Sequence, residues 1–112
     1  MNWIALDTET QLAEIKNNSH VSVIFKHSTR CSISSMAKRK FELDWDDLPP
    51  DTKLYFLDLL SYRSISNQIA ADFNVQHQSP QVLLIKAGIC ILEQSQGDIT
   101  VTEINEVISQ SA

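Results

Sequence analysis

The chain has 112 residues, 43% of them hydrophobic and 21% charged, with a formal net charge of −5. These values predict one globular domain over 1–112, large enough to bury a core without disulfide or metal staples. Two glycines and three prolines argue against linkers and low-complexity stretches, and no segment approaches the run of ~18 apolar residues needed to span a membrane. The opening residues, MNWIALDTET, lack a basic region leading into an apolar one, so no export signal is expected and the cytoplasm is the default compartment. An acidic chain whose aromatics do not interleave with its basic residues is a poor candidate for nucleic-acid binding. There is no Gly-rich phosphate loop and no Cys/His cluster, so neither a bound cofactor nor a metal is expected.

In chain order, Thr8-x-x-Gln11 reads as a capping box, and Leu12 and Ile15 give a first helix its apolar stripe as far as Asn17–Asn18. Val21–Lys26 is a short, nearly continuous apolar run, as in a strand covered on both faces. After Cys31, the residues Ile33, Met36, Ala37, Phe41 and Trp45 recur at three- and four-residue steps, predicting a helix that buries this face and stops before Pro49–Pro50. Lys53–Leu60 reads as a second strand, and Ile65, Ile69 and Phe73 as the apolar side of a helix. Val82–Lys86 and Ile89–Glu93, joined at Ala87–Gly88, predict a hairpin. Thr100-x-x-Glu103 reads as a second capping box, opening a last helix with Ile104, Val107 and Ile108 on one side.

The order α-βαβα-ββα demands a parallel pair with a right-handed crossover, extended by antiparallel strands. The expectation is a four-stranded mixed sheet with a βαβα-ββα core, an extra N-terminal helix, and helices on both faces. That is the thioredoxin-like architecture. Ligands of open α/β sheets gather at the carboxyl ends of the strands, and Cys31 falls at the end of the first predicted strand, where the crossover helix starts. Unpaired backbone N–H groups and the helix dipole favour negative charge there, and the thiolate is the reactive form of cysteine. Three residues on, where a dithiol oxidoreductase carries its second cysteine, stands Ser34. The motif C-S-I-S points to one-thiol chemistry.

Charge is unevenly spread. Lys26, Arg30, Lys38, Arg39 and Lys40 lie in a segment without acids, and Glu42, Asp44, Asp46, Asp47 and Asp51 follow at once. The basic run either supports an anionic sulfur and attracts anionic thiols, or is simply a solvated helix face.

FKHSTRCSISSMA (Phe25–Ala37), LYFLDLLSYRSISNQIA (Leu54–Ala70) and HQSPQVLLIKAG (His77–Gly88) together resemble the YtxJ-type bacilliredoxin family, from about Trp3 to Thr100. The resemblance implies a thioredoxin-like fold and a monothiol oxidoreductase of the bacillithiol system. Such a protein removes bacillithiol, as co-substrate, from mixed disulfides on S-thiolated proteins, with a dithiol reductase as a further partner. It maps the active-site cysteine onto Cys31 and a cis-proline onto Pro80. The segment after Gly88, ICILEQSQGD, departs from the family, so no role passes to Cys90.

The candidate catalytic residues are therefore Cys31, Ser34 and Arg30. Ser34 is expected to hydrogen-bond the Cys31 sulfur, or to serve as an ordinary first-turn residue, or both. Arg30 either lends its permanent charge to the thiol or is merely exposed. Ser79, Pro80, Thr29 and Ser32 are the candidate substrate contacts, with the Ser79 backbone free to pair with an extended chain. His27 either modulates the thiol or packs, and Cys90 is either a second thiol or a small core hydrophobe. Asp58, inside the apolar LYFLDLL strand, is a buried-acid candidate that either hydrogen-bonds a loop or helix terminus or assists proton transfer near the thiol. A redox sensor and a protein-binding module without turnover are the alternatives to an enzyme.

Overall fold

The computed structural model describes residues 1–111. Its elements are β1 (Ile4–Ala5), α1 (Glu9–Asn17), β2 (Val21–His27), α2 (Ser32–Asp44), β3 (Lys53–Asp58), α3 (Arg63–Asp72), β4 (Gln81–Lys86), β5 (Ile89–Ser95) and α4 (Val101–Gln110). Single 3₁₀ turns follow α2 at Trp45–Asp47 and β5 at Gln96–Asp98. The sheet has five strands in the order β1-β3-β2-β4-β5, not the expected four. β1, β3 and β2 are parallel, whereas β4 and β5 run antiparallel to their neighbours. The fold is thioredoxin-like. The additional strand is β1, two residues long and laid beside Tyr55 and Phe56. A two-residue strand carries no alternation to read, and its role is set by the neighbouring β3.

Side chains of the central strand β2 alternate between two layers. Ile24 joins Leu12, Ile15, Ile65, Ile69 and Leu83 under α1 and α3, whereas Val23 and Phe25 join Phe41, Val82, Leu84, Ile104 and Ile108 under α2 and α4. Trp3 closes the second layer, with its ring 5.4 Å from Phe41 and 5.3 Å from Trp45, and its indole N–H donating to Glu42 at 2.7 Å.

Two expectations about helices need correction. Ile33 and Met36 do not face the core, being 55% and 70% exposed. The buried arc of α2 is Ser34, Ala37, Phe41 and Trp45, about a quarter-turn away. A serine in that arc disguised it, because its burial rests on a hydrogen bond instead of apolar character. At α4, Thr100 accepts from the Glu103 N–H at 3.3 Å, but Glu103 does not return the bond. Its carboxylate accepts from Gln94 Nε2 at 2.8 Å instead, so only half of a capping box forms. At α1 both halves of the Thr8–Gln11 box are present. The β4–β5 hairpin turns at Ala87 and Gly88, both at positive φ, and a register shift lies between Leu84 and Ile85.

Candidate active site

β2 ends at His27, a short turn follows, and Cys31 becomes the N-cap of the 13-residue helix α2 with extended backbone angles (φ −111°, ψ 118°). The Cys31 N–H donates to the Ser28 C=O at 3.2 Å, and its own C=O accepts from Ser35 N–H at 3.1 Å, closing the first turn of the helix. No side chain caps α2, so the cysteine sulfur stands where a capping oxygen would. Cys31 is half-buried and its thiol is free.

Ser34 is fully buried beneath this turn. Its Oγ lies 2.7 Å from His27 Nδ1 and accepts the Ser28 N–H at 3.1 Å. The expected hydrogen bond from Ser34 to the Cys31 sulfur is absent: the hydroxyl turns inward, where two buried polar groups need it more than an accessible sulfur does. Ser34 therefore ties the turn before Cys31 to the end of β2. His27 packs here against α2, with its ring 5.2 Å from Phe56. Burial, and then the nearby Lys38 ammonium, push the His27 pKa down, so the ring is neutral at pH 7. Lys38 is not simply solvated. It pairs with Glu42 at 2.8 Å and lies 5.5 Å from the centre of the Phe56 ring. Burial works against the Glu42 carboxylate, but the hydrogen bonds from Lys38 and Trp3 outweigh it and lower its pKa.

Thr29, Arg30 and Ser32 are exposed around the cysteine, and among the described residues their side chains form no hydrogen bond or ion pair. The Ser79–Pro80 peptide bond is cis. Lys26 pairs with Gln81, so Pro80 lies beside the carboxyl end of β2, the end from which the Cys31 turn departs. Pro80 is buried and its C=O accepts from Gln96 N–H at 3.0 Å. No hydrogen bond among the described residues uses the Ser79 N–H or C=O, and the Ser79 Oγ is buried without a partner.

Of the undecided residues, Asp58 holds a loop. Its carboxylate accepts from the Leu60 N–H at 3.2 Å and from Ser61 Oγ at 3.0 Å. Cys90 packs against the layer under α1 and α3, donates to the Leu92 C=O at 3.4 Å, and has its pKa raised by burial. It pairs with Ile85, which pairs with Ser22, so it belongs to the end of the sheet remote from Cys31.

Two features escaped the sequence reading. The exposed Ile33 and Met36, with Ala37, Lys40, Gln96, Gly97 and Ile99, line a mostly apolar groove of about 290 Å³ between the first turns of α2 and the 3₁₀ turn at Gln96–Asp98. Lys26, on the opposite face of β2 from His27, is fully buried. Its ammonium donates to the Ser66 C=O at 3.2 Å and to His77 Nδ1 at 3.3 Å, and burial lowers its pKa to about 8. A lysine closing an otherwise apolar strand was the available signal.

Over residues 4–104 the chain matches the model of the family described as monothiol bacilliredoxin BrxC. Among solved structures it is similar to a protein with a thioredoxin fold assigned as an oxidoreductase, at TM-score 0.81 and 29% identity over 95% of this chain and 93% of that one. It is also similar to the thioredoxin of Trypanosoma brucei brucei (TM-score 0.76, 11% identity, 98% and 90% covered) and that of Malassezia sympodialis (0.72, 18%, 95% and 87%), a likeness of fold. No helix among the described residues is long and apolar enough to cross a membrane. The family match and the shared oxidoreductase fold assign thiol–disulfide redox chemistry to this chain. It belongs to the monothiol bacilliredoxin family.

Proposed function

We propose that the protein removes a small thiol, bacillithiol in the first instance, from mixed disulfides on other proteins, with Cys31 as the sole attacking group. The observation that carries this reading is the Cys31 sulfur at the uncapped start of α2, with Ser34 in place of a second thiol. The Cys31 thiolate attacks the sulfur of the small thiol. The bond between that sulfur and the client protein breaks, and the client departs as a thiolate that takes a proton from water. Cys31 now carries the small thiol as a disulfide. A second thiolate, from another small thiol or a dithiol reductase, attacks the small thiol's sulfur and returns Cys31 as the thiolate.

Thr29, Arg30 and Ser32 border the incoming disulfide in this reading, and Arg30, the residue before Cys31, supplies a permanent positive charge. The unpaired Ser79 N–H and C=O bind an extended client segment as a short added strand, and the groove at Ile33, Met36 and Gly97 receives its apolar side chains. Incubation with a bacillithiolated client, followed by intact-mass analysis, tests the proposal. A client regaining its free thiol, while this protein gains one small-thiol mass at Cys31, is expected. An unmodified Cys31 and an unchanged client would overturn it, and an adduct that no thiol or reductase removes would make the protein a sensor instead.

A further inference from the structure

The chain carries 14 acidic and 9 basic residues, yet at one place near the site two basic side chains form no ion pair among the described residues. Lys26 is 0% exposed, and its ammonium finds only a carbonyl and an imidazole as partners. Burying a charge without an opposite one is costly. The ion pairs among the described residues, Met1–Asp46, Lys16–Asp72 and Lys38–Glu42, do not include Lys26 or Arg63. Arg63 opens α3, whose first turn holds no acid and whose N-cap, Tyr62, offers no side-chain cap. The positive end of that helix dipole adds to the same field.

His77 connects this charge to solvent. An ammonium can only donate hydrogen bonds, so the His77 Nδ1 facing Lys26 at 3.3 Å is an acceptor, and the proton of the neutral ring sits on Nε2. Ser66 Oγ, at 3.4 Å from the same Nδ1, lies on the inner side too. His77 itself is exposed, so its Nε2–H is a donor held outward. Burial, then Lys26 and Arg63, lower its pKa and keep the ring neutral at pH 7. Among the described residues no carboxylate lies on β2 or on its own segment. The acids of the surrounding elements are engaged elsewhere, Asp72 of α3 by Lys16, Asp58 by the Leu60 N–H and Ser61, and Glu93 of β5 by Gln81 Nε2 at 2.9 Å. That segment is fastened by Gln81, whose Nε2 donates to the Gln76 C=O at 3.0 Å, and it leads directly to Ser79 and Pro80 at the Cys31 end of the sheet.

We propose that the His77 Nε2–H and the Arg63 guanidinium bind a carboxylate of the small thiol exchanged at Cys31, with Lys26 as the positioning residue that holds His77 in its donor tautomer. The proposal rests on the reading of Cys31 as the exchange thiol. It makes the preferred substrates small thiols that carry a carboxylate several bonds from their sulfur, and it gives Lys26 a reason to be buried uncompensated.

Glutathione disulfide and the disulfide of glutathione diethyl ester provide the test, because their adducts on Cys31 differ only in the carboxylates. Mass spectrometry locates each adduct, and long-range ¹H–¹⁵N NMR reads the tautomer and titration of His77. In the free protein at neutral pH, His77 should be the Nε2–H tautomer alone. The glutathione adduct should raise the His77 pKa by about one unit over the ester adduct, as an opposite charge in contact does. Arg63→Gln should shrink that difference, and Lys26→Met should mix the tautomers. Equal His77 titration in the two adducts, or an Nδ1–H tautomer in the free protein, would overturn the proposal while leaving Cys31 as the exchange thiol. If neither disulfide forms an adduct at Cys31, this proposal falls, because a site that selects any small thiol by its carboxylate would admit glutathione, whereas the exchange reading stands or falls on the bacillithiolated client.

Discussion

Cys31 and Ser34 sit one helical turn apart, yet they are held for different purposes. The cysteine is half-buried at a helix start and packs little, so Cys31→Ala should abolish client dethiolation while changing stability by less than about 1 kcal/mol; single-turnover assays and urea denaturation check the two halves separately. Ser34 satisfies both the Ser28 N–H and His27 from inside the protein. Ser34→Ala should therefore cost about 1–3 kcal/mol, the usual penalty for orphaning buried polar groups, read as a lower urea midpoint with an unchanged slope. The placement of Cys31 at a helix start was legible in the sequence because strand, turn and helix start are coded within a dozen neighbouring residues. The inward aim of Ser34 was not, since it depends on His27 being pressed under α2 by the sheet. Lys26 and His77, 51 positions apart, meet only after the chain has folded. The pKa of Lys26, lowered from 10.5 to about 8 by burial, gives its pairing a measurable signature. A lowered lysine pKa means that the unfolded chain binds more protons between those two values, so the penalty on the fold is full below pH 8 and fades as pH rises toward 10.5. Lys26→Met should thus stabilise the protein by about 1–3 kcal/mol at pH 7. That advantage over wild type should vanish above pH 10.5 in paired thermal melts.

Elements were legible where their signal is local and periodic, and α1, β2, β3, α3 and the hairpin lie close to where the pattern put them. α2 was recognised as a helix but rotated, because counting apolar residues could not see that its core arc begins with a buried serine. That rotation is what leaves Ile33 and Met36 available to the groove along the first turns of α2. β1 was missed altogether, as its two residues owe their extended form to the neighbouring β3. The hairpin turn offers a sharper test than any of these. Gly88 has φ 77°, and a Cβ there would lie 2.4 Å from the backbone oxygen of Lys16 at the end of α1. Both the angle and the contact reject a side chain, so Gly88→Ala should destabilise by about 1–3 kcal/mol, seen as a lower melting temperature, without loss of Cys31 reactivity toward a small disulfide.

At the scale of the molecule, the pH response follows from groups held neutral inside the fold. The His27 pKa is lowered by burial, so the unfolded chain takes up protons that the native one refuses. Stability should fall as pH drops below about 6.5, the unfolded histidine value, and His27→Gln should flatten that limb in melts recorded from pH 7 to 5. The position of Cys90 carries a separate consequence. Through Ile85 it is registered on Ser22, at the opposite end of β2 from the Cys31 turn. At ~3.3 Å per residue and ~4.8 Å per strand, the two sulfurs are roughly 20 Å apart. No loop links them, so an occupied Cys31 can never clear itself. For the proposed exchange at Cys31 the expected kinetics are ping-pong, with parallel double-reciprocal lines when client and reductant are varied together; intersecting lines would show that both bind at once. Between the two half-reactions the protein waits, and the waiting time is set entirely from outside. On the proposed mechanism, the fraction of molecules carrying an adduct would then report the ratio of thiolated protein to free reductant around it, a running gauge of the thiol pool.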